Sequence, residues 1–427
     1  MRHLLVWALV AAAALAAAIT SSDAITSSDA ITSSGATGRP DCPRLSGTWR
    51  GDHRARLQQV IDERGTCARN AGSAPVAVFD WDNTVTRNDV TDATLGWALR
   101  HDRILRPARW KDTSAWLTDA ADRALTRACR TDVPVGAPLR TSTRARCTDE
   151  IVEIRENGTT TSGATAFAGA WDHRRTVPQY AWVPQLFAGH TVAELSSYAR
   201  RARAEALAAP IGATRTLGTH TVPAYVRYYS QQRDLIRTLR KAGFDVYVVS
   251  AGAEPVTEVW SRGVGIDAAH TLAIRSVLDE RGRITTRNEG CGGVPATRGG
   301  VIPYIDGKRC WINQEIYGVR GAAAWRKQDP AHRPALAAGD ADTDVTFVGD
   351  ATGAHLVINR NKSELMCRAD DDADGRWLVE PMFIEPLPRR LDPYPCSTTA
   401  YNEPDGSRGP VVREDGSVVP DQKDAVY

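Results

Sequence analysis

A short apolar run, Val76-Ala77-Val78-Phe79, ends in Asp80-Trp81-Asp82-Asn83-Thr84, and no other segment constrains the fold as much. Consecutive apolar residues followed by a polar loop predict a buried strand whose end is exposed to chemistry. In extended backbone, residues i and i+2 share a face, so the carboxylates of Asp80 and Asp82 address one point while Trp81 faces elsewhere. Such a pair suits phosphoryl transfer. One carboxylate serves as nucleophile with a metal screening its charge, the other as proton donor and acceptor. The plainer reading of the same string is two solvated aspartates in a turn.

Three downstream segments bear on that choice. Asp245-Val246-Tyr247-Val248-Val249 is a second buried-strand run that leads into Ser250-Ala251-Gly252, and Pro255 opens a predicted helix. A hydroxyl beside free backbone amides suits phosphate oxygens, so Ser250 and Ala251 are candidate phosphate contacts. Lysines are scarce, being only Lys111, Lys241, Lys308, Lys327, Lys362 and Lys423. Of the two that follow Ser250 and precede the next acidic motif, Lys308 stands before a predicted helix and is preferred as the ammonium that neutralises a phosphoryl group. Lys327 remains the alternative. The third segment is Gly339-Asp340-Ala341-Asp342-Thr343-Asp344, after the small apolar strand Ala335-Leu336-Ala337-Ala338. Asp340 can complete the oxygen-only shell that Mg²⁺ prefers, and Asp344 can hold Asp340 or Lys308 in place from behind. An acidic loop or a loose calcium site is the competing reading.

Taken in order, Asp-x-Asp-x-Thr, Ser, Lys and Gly-Asp-x-x-x-Asp resemble the four motifs of the haloacid dehalogenase superfamily, in particular its phosphoserine phosphatase-like and phosphorylcholine phosphatase-like branch. The resemblance runs from about residue 74 to about residue 365 and includes Leu356-Val357-Ile358-Asn359-Arg360 as a later core strand. It implies an α/β fold: a three-layer Rossmann-like core around a parallel sheet, with a mostly helical cap inserted between the first and second motifs. It also implies roles. Asp80 would form an aspartyl-phosphate, Asp82 would protonate the leaving oxygen and then activate water, and Mg²⁺ would be held by Asp80, Asp82 through its backbone carbonyl, and Asp340. Thr84, Ser250, Ala251 and Lys308 would hold the phosphoryl oxygens, with Asp344 behind them. Asn83 stands where many relatives have Gly or Ser, and the segment between Ser250 and Lys308 is longer than usual. Dehalogenases of the superfamily lack the second aspartate, because halide leaves without a proton, so Asp82 favours phosphate esters. A membrane-spanning ATPase is excluded, since no run after the N-terminus approaches the roughly 18 apolar residues a span requires.

Arg2 and His3 precede an apolar stretch, Leu4 to Ala18, which reads as a secretory signal peptide; an uncleaved signal anchor is the alternative. Three near-copies of Ala-Ile-Thr-Ser-Ser-Asp, starting at Ala18, Ala24 and Ala30, follow as a low-complexity tether. Export agrees with the eight cysteines, Cys42, Cys67, Cys129, Cys147, Cys291, Cys310, Cys367 and Cys396, which lack the close pairs of a zinc site. Pairing of neighbours along the chain would close four local loops, one of them tethering the segment that bears Lys308.

The expected organisation is thus signal peptide 1–18, tether 19–40, core 41–89, helical cap 90–222, core 223–366 and an irregular C-terminal extension 367–427 that Trp377 and Phe383 dock onto the body. Within the cap, Thr191-Val192-Ala193-Glu194 is a capping box, and Pro223 is expected to open a helix that stops at Gly243. Residues 271–287 are expected to form a hairpin turning near Gly282. A net charge of +2 with interspersed signs points to no nucleic-acid or membrane partner, and oligomeric state is not legible. The lid would choose the substrate. It carries Trp97, Trp110, Trp116, Trp171, Tyr180 and Trp182, with Asp89 and Asp92 just beyond the nucleophile. Aromatic faces and a carboxylate suit a quaternary ammonium, so Asp89, Trp97 and Trp116 are candidate substrate contacts for phosphocholine or another amine-bearing phosphomonoester. Aromatics packed as the core of a helical insertion are the plainer alternative. At the level of function, a Mg²⁺-dependent secreted phosphomonoesterase stands against a phosphoserine-type phosphatase and a secreted binding protein on the same scaffold whose chemistry has lapsed.

Overall fold

The computed structural model describes residues 42–67, 73–130 and 132–425, so the expected signal peptide and tether lie outside the described residues. Six strands form the central sheet: β1 (Val76–Phe79), β2 (Asp245–Ala253), β3 (Thr271–Ile274), β4 (Leu336–Gly339), β5 (Ala354–Asn359) and β6 (Trp377–Pro381). Their order is β6-β5-β4-β1-β2-β3, and every pairing is parallel. The strands alternate sides as the pleat requires. Ala77, Phe79, Leu336, Ala338 and Leu356 join one core with Leu57, Ile61, Leu235 and Leu239, whereas Val78, Ala337 and Val357 join a second core with Phe347, Val348, Leu365 and Met366. Both faces are therefore covered by helices, and the α/β three-layer architecture follows. Truncating the fully buried Phe79 to alanine would cost about 3–5 kcal/mol.

The chain reverses its direction of growth between β1 and β4, since β2 lies on one side of β1 and β4 on the other. In an open parallel sheet the crevice outside the carboxyl ends of the strands at that point is where ligands bind. The insertion between β1 and β2 is mostly helical: α1 (Val90–Arg100), a helix at Asp119–Cys129, α2 (Ala145–Asn157), a helix at Pro178–Gln185 and α3 (Val192–Ala208), followed by a hairpin of Thr214–Leu217 and His220–Pro223. Thr86–Arg87 pairs with Arg227–Tyr228, so the chain enters and leaves the insertion side by side. The capping box at Thr191 and Glu194 forms as read from the sequence.

Three expectations need correction. Pro223 ends a half-exposed hairpin strand, where its missing N–H is tolerated, and the helix carrying Leu235 and Leu239, α4, runs Ser230–Lys241, stopping before the left-handed Gly243. Only the second half of 271–287 is a hairpin, Ser276–Leu278 against Ile284–Asn288; the short run Thr271–Ile274 is fully buried and extends the main sheet. The C-terminal region is not merely an irregular wrap, because Trp377–Pro381 completes the sheet beside β5. Its four buried residues sit amid Asp, Gly and Pro and gave too short a pattern to stand out. Trp377 stacks on His355 at 4.6 Å, and Phe383 packs edge-on to Trp49 and Tyr229.

All four neighbour disulfides form: Cys42–Cys67, Cys129–Cys147, Cys291–Cys310 and Cys367–Cys396. Among the described residues no helix is long and apolar enough to cross a membrane.

Candidate active site

Asp80 leaves β1 at the reversal point, with its backbone N–H donating to the Ala338 carbonyl of β4 at 2.9 Å. Its side chain is buried. Trp81 turns into the core, edge-on to Tyr228 at 6.2 Å, which leaves Asp82 free to face the same cavity as Asp80, a space of about 270 Å³. Asp82 Oδ1 accepts from the Val90 N–H at 2.8 Å, the first turn of α1. Between them Asn83 adopts φ of 63°, a left-handed conformation that Asn tolerates better than most residues, and its side-chain oxygen accepts from Asn88 N–H at 3.0 Å.

Lys308 lies in the first turn of α5 (Asp306–Glu315) and is fully buried. Its Nζ donates to Asp80 Oδ1 at 2.5 Å and to Asp344 Oδ1 at 2.6 Å. Lys327 instead pairs with Glu414 at the surface. Ile305, buried just before α5, holds φ of 48°, a disfavoured conformation for a β-branched residue, and is tied by its N–H to the Thr343 carbonyl. The other oxygen of Asp344 accepts from the N–H groups of Asp340 and Ala341 at 2.9 and 3.0 Å. A Cβ at Gly339 would stand 2.4 Å from that of Asp344, so only glycine lets Asp344 tuck beneath the loop.

Thr84 is also fully buried, and its hydroxyl lies 2.9 Å from Asp80 Oδ2 and 2.7 Å from Asp340 Oδ1. A hydroxyl has one proton, so it satisfies one of these carboxylates and leaves the other facing negative charge. Asp340 Oδ2 accepts from Arg360 Nη1 at 2.6 Å. In the sequence Arg360 is only the end of a core strand; the signal that marks it is a cation at the carboxyl end of a strand beside the reversal point. Oxygen atoms of Asp80, Asp340 and Asp344 lie within 4.8 Å of one another. Asp344 is tied to Lys308 and to two backbone amides and does not line the cavity, whereas Asp80 and Asp340 both face it and share the Thr84 hydroxyl, which makes them the pair able to share a cation. An all-oxygen, doubly anionic donor set of this kind fits Mg²⁺.

The electrostatics follow from crowding carboxylates in a dry crevice. Burial, with Asp340 adding to it and Lys308 opposing it, raises Asp80 to about 6. Burial and the neighbouring Asp89 push Asp82 well above the usual carboxylate range. Asp89 is itself raised to about 7 by burial and Asp92. Burial disfavours the charge on Lys308, yet Asp344 and Asp80 outweigh it and keep the ammonium protonated.

Ser250 and Ala251 lie beyond the last pairing with β1, where β2 also slips register against β3. Both line the cavity. Ser250 is buried and its Oγ accepts from the Gly252 N–H at 3.0 Å. Asp89 caps α1, accepting from the N–H groups of Thr91 and Asp92, and faces the cavity together with Asp92, Glu156, Arg155 and Tyr180. The lid aromatics are differently disposed. Trp97 is stacked with His101 at 4.1 Å and with Tyr198 at 5.5 Å and borders an adjoining cavity. Trp116 packs against Trp171 at 5.5 Å and is absent from the lining of both cavities. Tyr180 carries the Arg155 guanidinium 4.6 Å above its ring. Among the described residues, these rings do not assemble into an open cage.

No family model matches the chain. Over 199 residues it is 31% identical to the phosphorylcholine phosphatase of Pseudomonas aeruginosa, a match covering 42% of this chain. The chain spans 55% of the length of that relative. Among solved structures, a conserved protein of unknown function from Anaerococcus prevotii aligns over 80% of this chain and 94% of its own, with 17% identity and a TM-score of 0.55. Substrate-bound phosphoserine phosphatase aligns more loosely, over 67% of this chain and 87% of its own, with 12% identity and a TM-score of 0.30. The resemblance to the haloacid dehalogenase superfamily is borne out by the parallel sheet and by the relative from Pseudomonas.

Proposed function

We propose that the chain is an exported, Mg²⁺-dependent phosphomonoester hydrolase that works through an aspartyl-phosphate on Asp80. The observation that carries this reading is the double tether of Asp80, bound through one oxygen to Lys308 and through the other, by way of Thr84, to Asp340. A carboxylate held in this way faces the cavity in one orientation, as a nucleophile must. Mg²⁺ held by Asp80, Asp340 and the Asp82 backbone carbonyl would supply the charge that lets a carboxylate approach a phosphate anion.

An Asp80 oxygen attacks phosphorus, and the bond from phosphorus to the leaving oxygen breaks with its electron pair going to that oxygen. Asp82, whose carboxyl is pushed toward its protonated form by burial and the neighbouring Asp89, gives its proton to the departing alkoxide. In the second step Asp82 takes a proton from water, the water oxygen attacks phosphorus, and the aspartyl oxygen is released. Lys308, Ser250 and the backbone at Ala251 hold the phosphoryl oxygens, and Asp344 keeps Lys308 in position.

For the alcohol, two guanidiniums face the cavity, but Arg155 is paired with Asp92 and Arg360 with Asp340, so the carboxylates of Asp89 and Glu156 in the same wall favour a positively charged leaving group. That balance, and the likeness to a phosphorylcholine phosphatase, support an amine-bearing phosphomonoester, with recognition resting on carboxylates rather than on an aromatic cage. The four disulfides support an oxidising, exported setting. The test is hydrolysis of a chromogenic aryl phosphate with and without Mg²⁺, beside Asp80→Asn: activity that needs both the metal and Asp80 is expected. Equal rates in all three would leave the lapsed binding protein as the better account.

A further inference from the structure

A second cavity of about 240 Å³ adjoins the first and shares with it the wall formed by Asn83, Asp89, Asp92, Arg155, Glu156 and Arg360. Its remaining surface is of another character. Val152, Ala202, Ala206, Leu217, Val222 and Val226 line it, contributed by α2, α3, the hairpin of the insertion and the segment that follows it. Three charged groups in that lining are committed to each other: Glu205 accepts from Arg100 at 2.7 Å and from Arg215 at 2.9 Å. Tyr225 and Arg87, also in its lining, both bond Glu385. What remains uncommitted is apolar surface that opens onto the site of phosphoryl transfer.

Gly96 keeps this space open. It sits inside α1, where glycine is less favourable than alanine. Its φ is not left-handed, and a Cβ built there meets only Leu217 Cδ2, at an ordinary 3.5 Å. Neither the backbone nor a close contact demands glycine at this position, yet it lines the cavity.

We infer that this second cavity is a leaving-group subsite that takes an apolar arm, alkyl or aryl, of the alcohol esterified to phosphate. The inference rests on the phosphatase reading and narrows it. The preferred substrate is an amphiphilic phosphomonoester whose charged part lies beside Asp89, Asp92 and Glu156 and whose apolar part extends between α1, α2 and α3. A shared wall makes this occupant the natural one, since a group attached to the leaving oxygen has only to continue past Asp89 to reach it.

The test compares ethyl phosphate with hexyl phosphate on the full chain with Mg²⁺. Hexyl phosphate should show a kcat/KM at least about tenfold higher, chiefly through a lower KM. Gly96→Leu should fill the cavity, abolish that preference and leave ethyl phosphate turnover unchanged, because Gly96 touches none of the reacting groups. Leu217→Ala should retain the preference and extend it to octyl phosphate. Equal kcat/KM for ethyl and hexyl phosphate, with turnover still dependent on Asp80, would overturn the subsite and leave the phosphatase reading intact. If neither ester were hydrolysed, the phosphatase reading would fail, and calorimetric titration with ethylphosphonate and hexylphosphonate would decide the subsite: tighter hexylphosphonate binding lost in Gly96→Leu supports it, and equal binding overturns it.

Discussion

Lys308 Nζ lies 2.6 Å from Asp344 Oδ1 in surroundings from which both side chains are wholly excluded from solvent. With Asp80 on its other side at 2.5 Å, the ammonium compensates two buried carboxylates at once. Such an arrangement is costly to break by halves, because removing one partner leaves uncompensated charge in a poor solvent.

Lys308→Met should therefore lower stability by about 3–5 kcal/mol in urea unfolding and abolish turnover. Asp344→Asn should cost less stability, since its amide oxygen still accepts from the loop, and should lower kcat with little change in KM because it acts through Lys308. A Lys308→Met protein as stable as the parent chain would show that the buried triad is not formed.

Arg360 competes for Asp340 with any cation bound there. Replacing it with glutamine removes a positive charge next to the proposed Mg²⁺ ligand, so Mg²⁺ affinity measured calorimetrically without substrate should rise severalfold. Weaker binding would mean that Arg360 orients Asp340 rather than opposing the ion.

The disulfide Cys291–Cys310 ends two residues beyond Lys308 on the same helix and spans 19 residues of sequence. A loop of that size contributes about 3 kcal/mol by restricting the unfolded chain. Replacing both cysteines with alanine should lower the melting temperature and also reduce kcat, because α5 carries the ammonium. The double alanine variant of Cys129–Cys147, whose helices lie in the insertion, should lower the melting temperature while leaving kcat for ethyl phosphate near that of the parent.

How much of this was legible follows from where each signal sits. Asp80, Ser250, Lys308 and Asp340 all stand at the ends of apolar runs or in the first turn of a helix, so strand burial and the polar residue after it announce them together. The neighbour pairing of cysteines was legible because each pair is close in sequence. What was hidden depends on distant packing. Arg360 acquires meaning only when β5 is placed beside β4, and Thr84 turns out to bridge two carboxylates because the chain folds back beneath them. Trp97 and Trp116 look alike in sequence, yet packing gives one a place beside a cavity and the other a place against Trp171. Strand β6 was missed because its apolar run is short and lies between turn-forming residues.

The last prediction concerns pH and lies away from the site. Asp370 is raised to about 7 by burial and by the nearby Asp424, with Arg50 opposing, and its Oδ2 is buried without a hydrogen-bond partner. In the unfolded chain the same carboxyl titrates near 4. Between those values the folded protein keeps a proton that the unfolded chain has released, so stability must fall as pH rises through that window. The contribution of Asp370 is fully present below about pH 4 and is lost as pH passes about 7. Asp370→Asn, which keeps the shape and removes the charge, should raise the melting temperature by a few degrees at pH 8 and change it little at pH 4. Because the residue lies outside the cavity, kcat at 25 °C should stay the same. A melting temperature that responds equally at both pH values would show that the carboxyl is not held protonated by the fold.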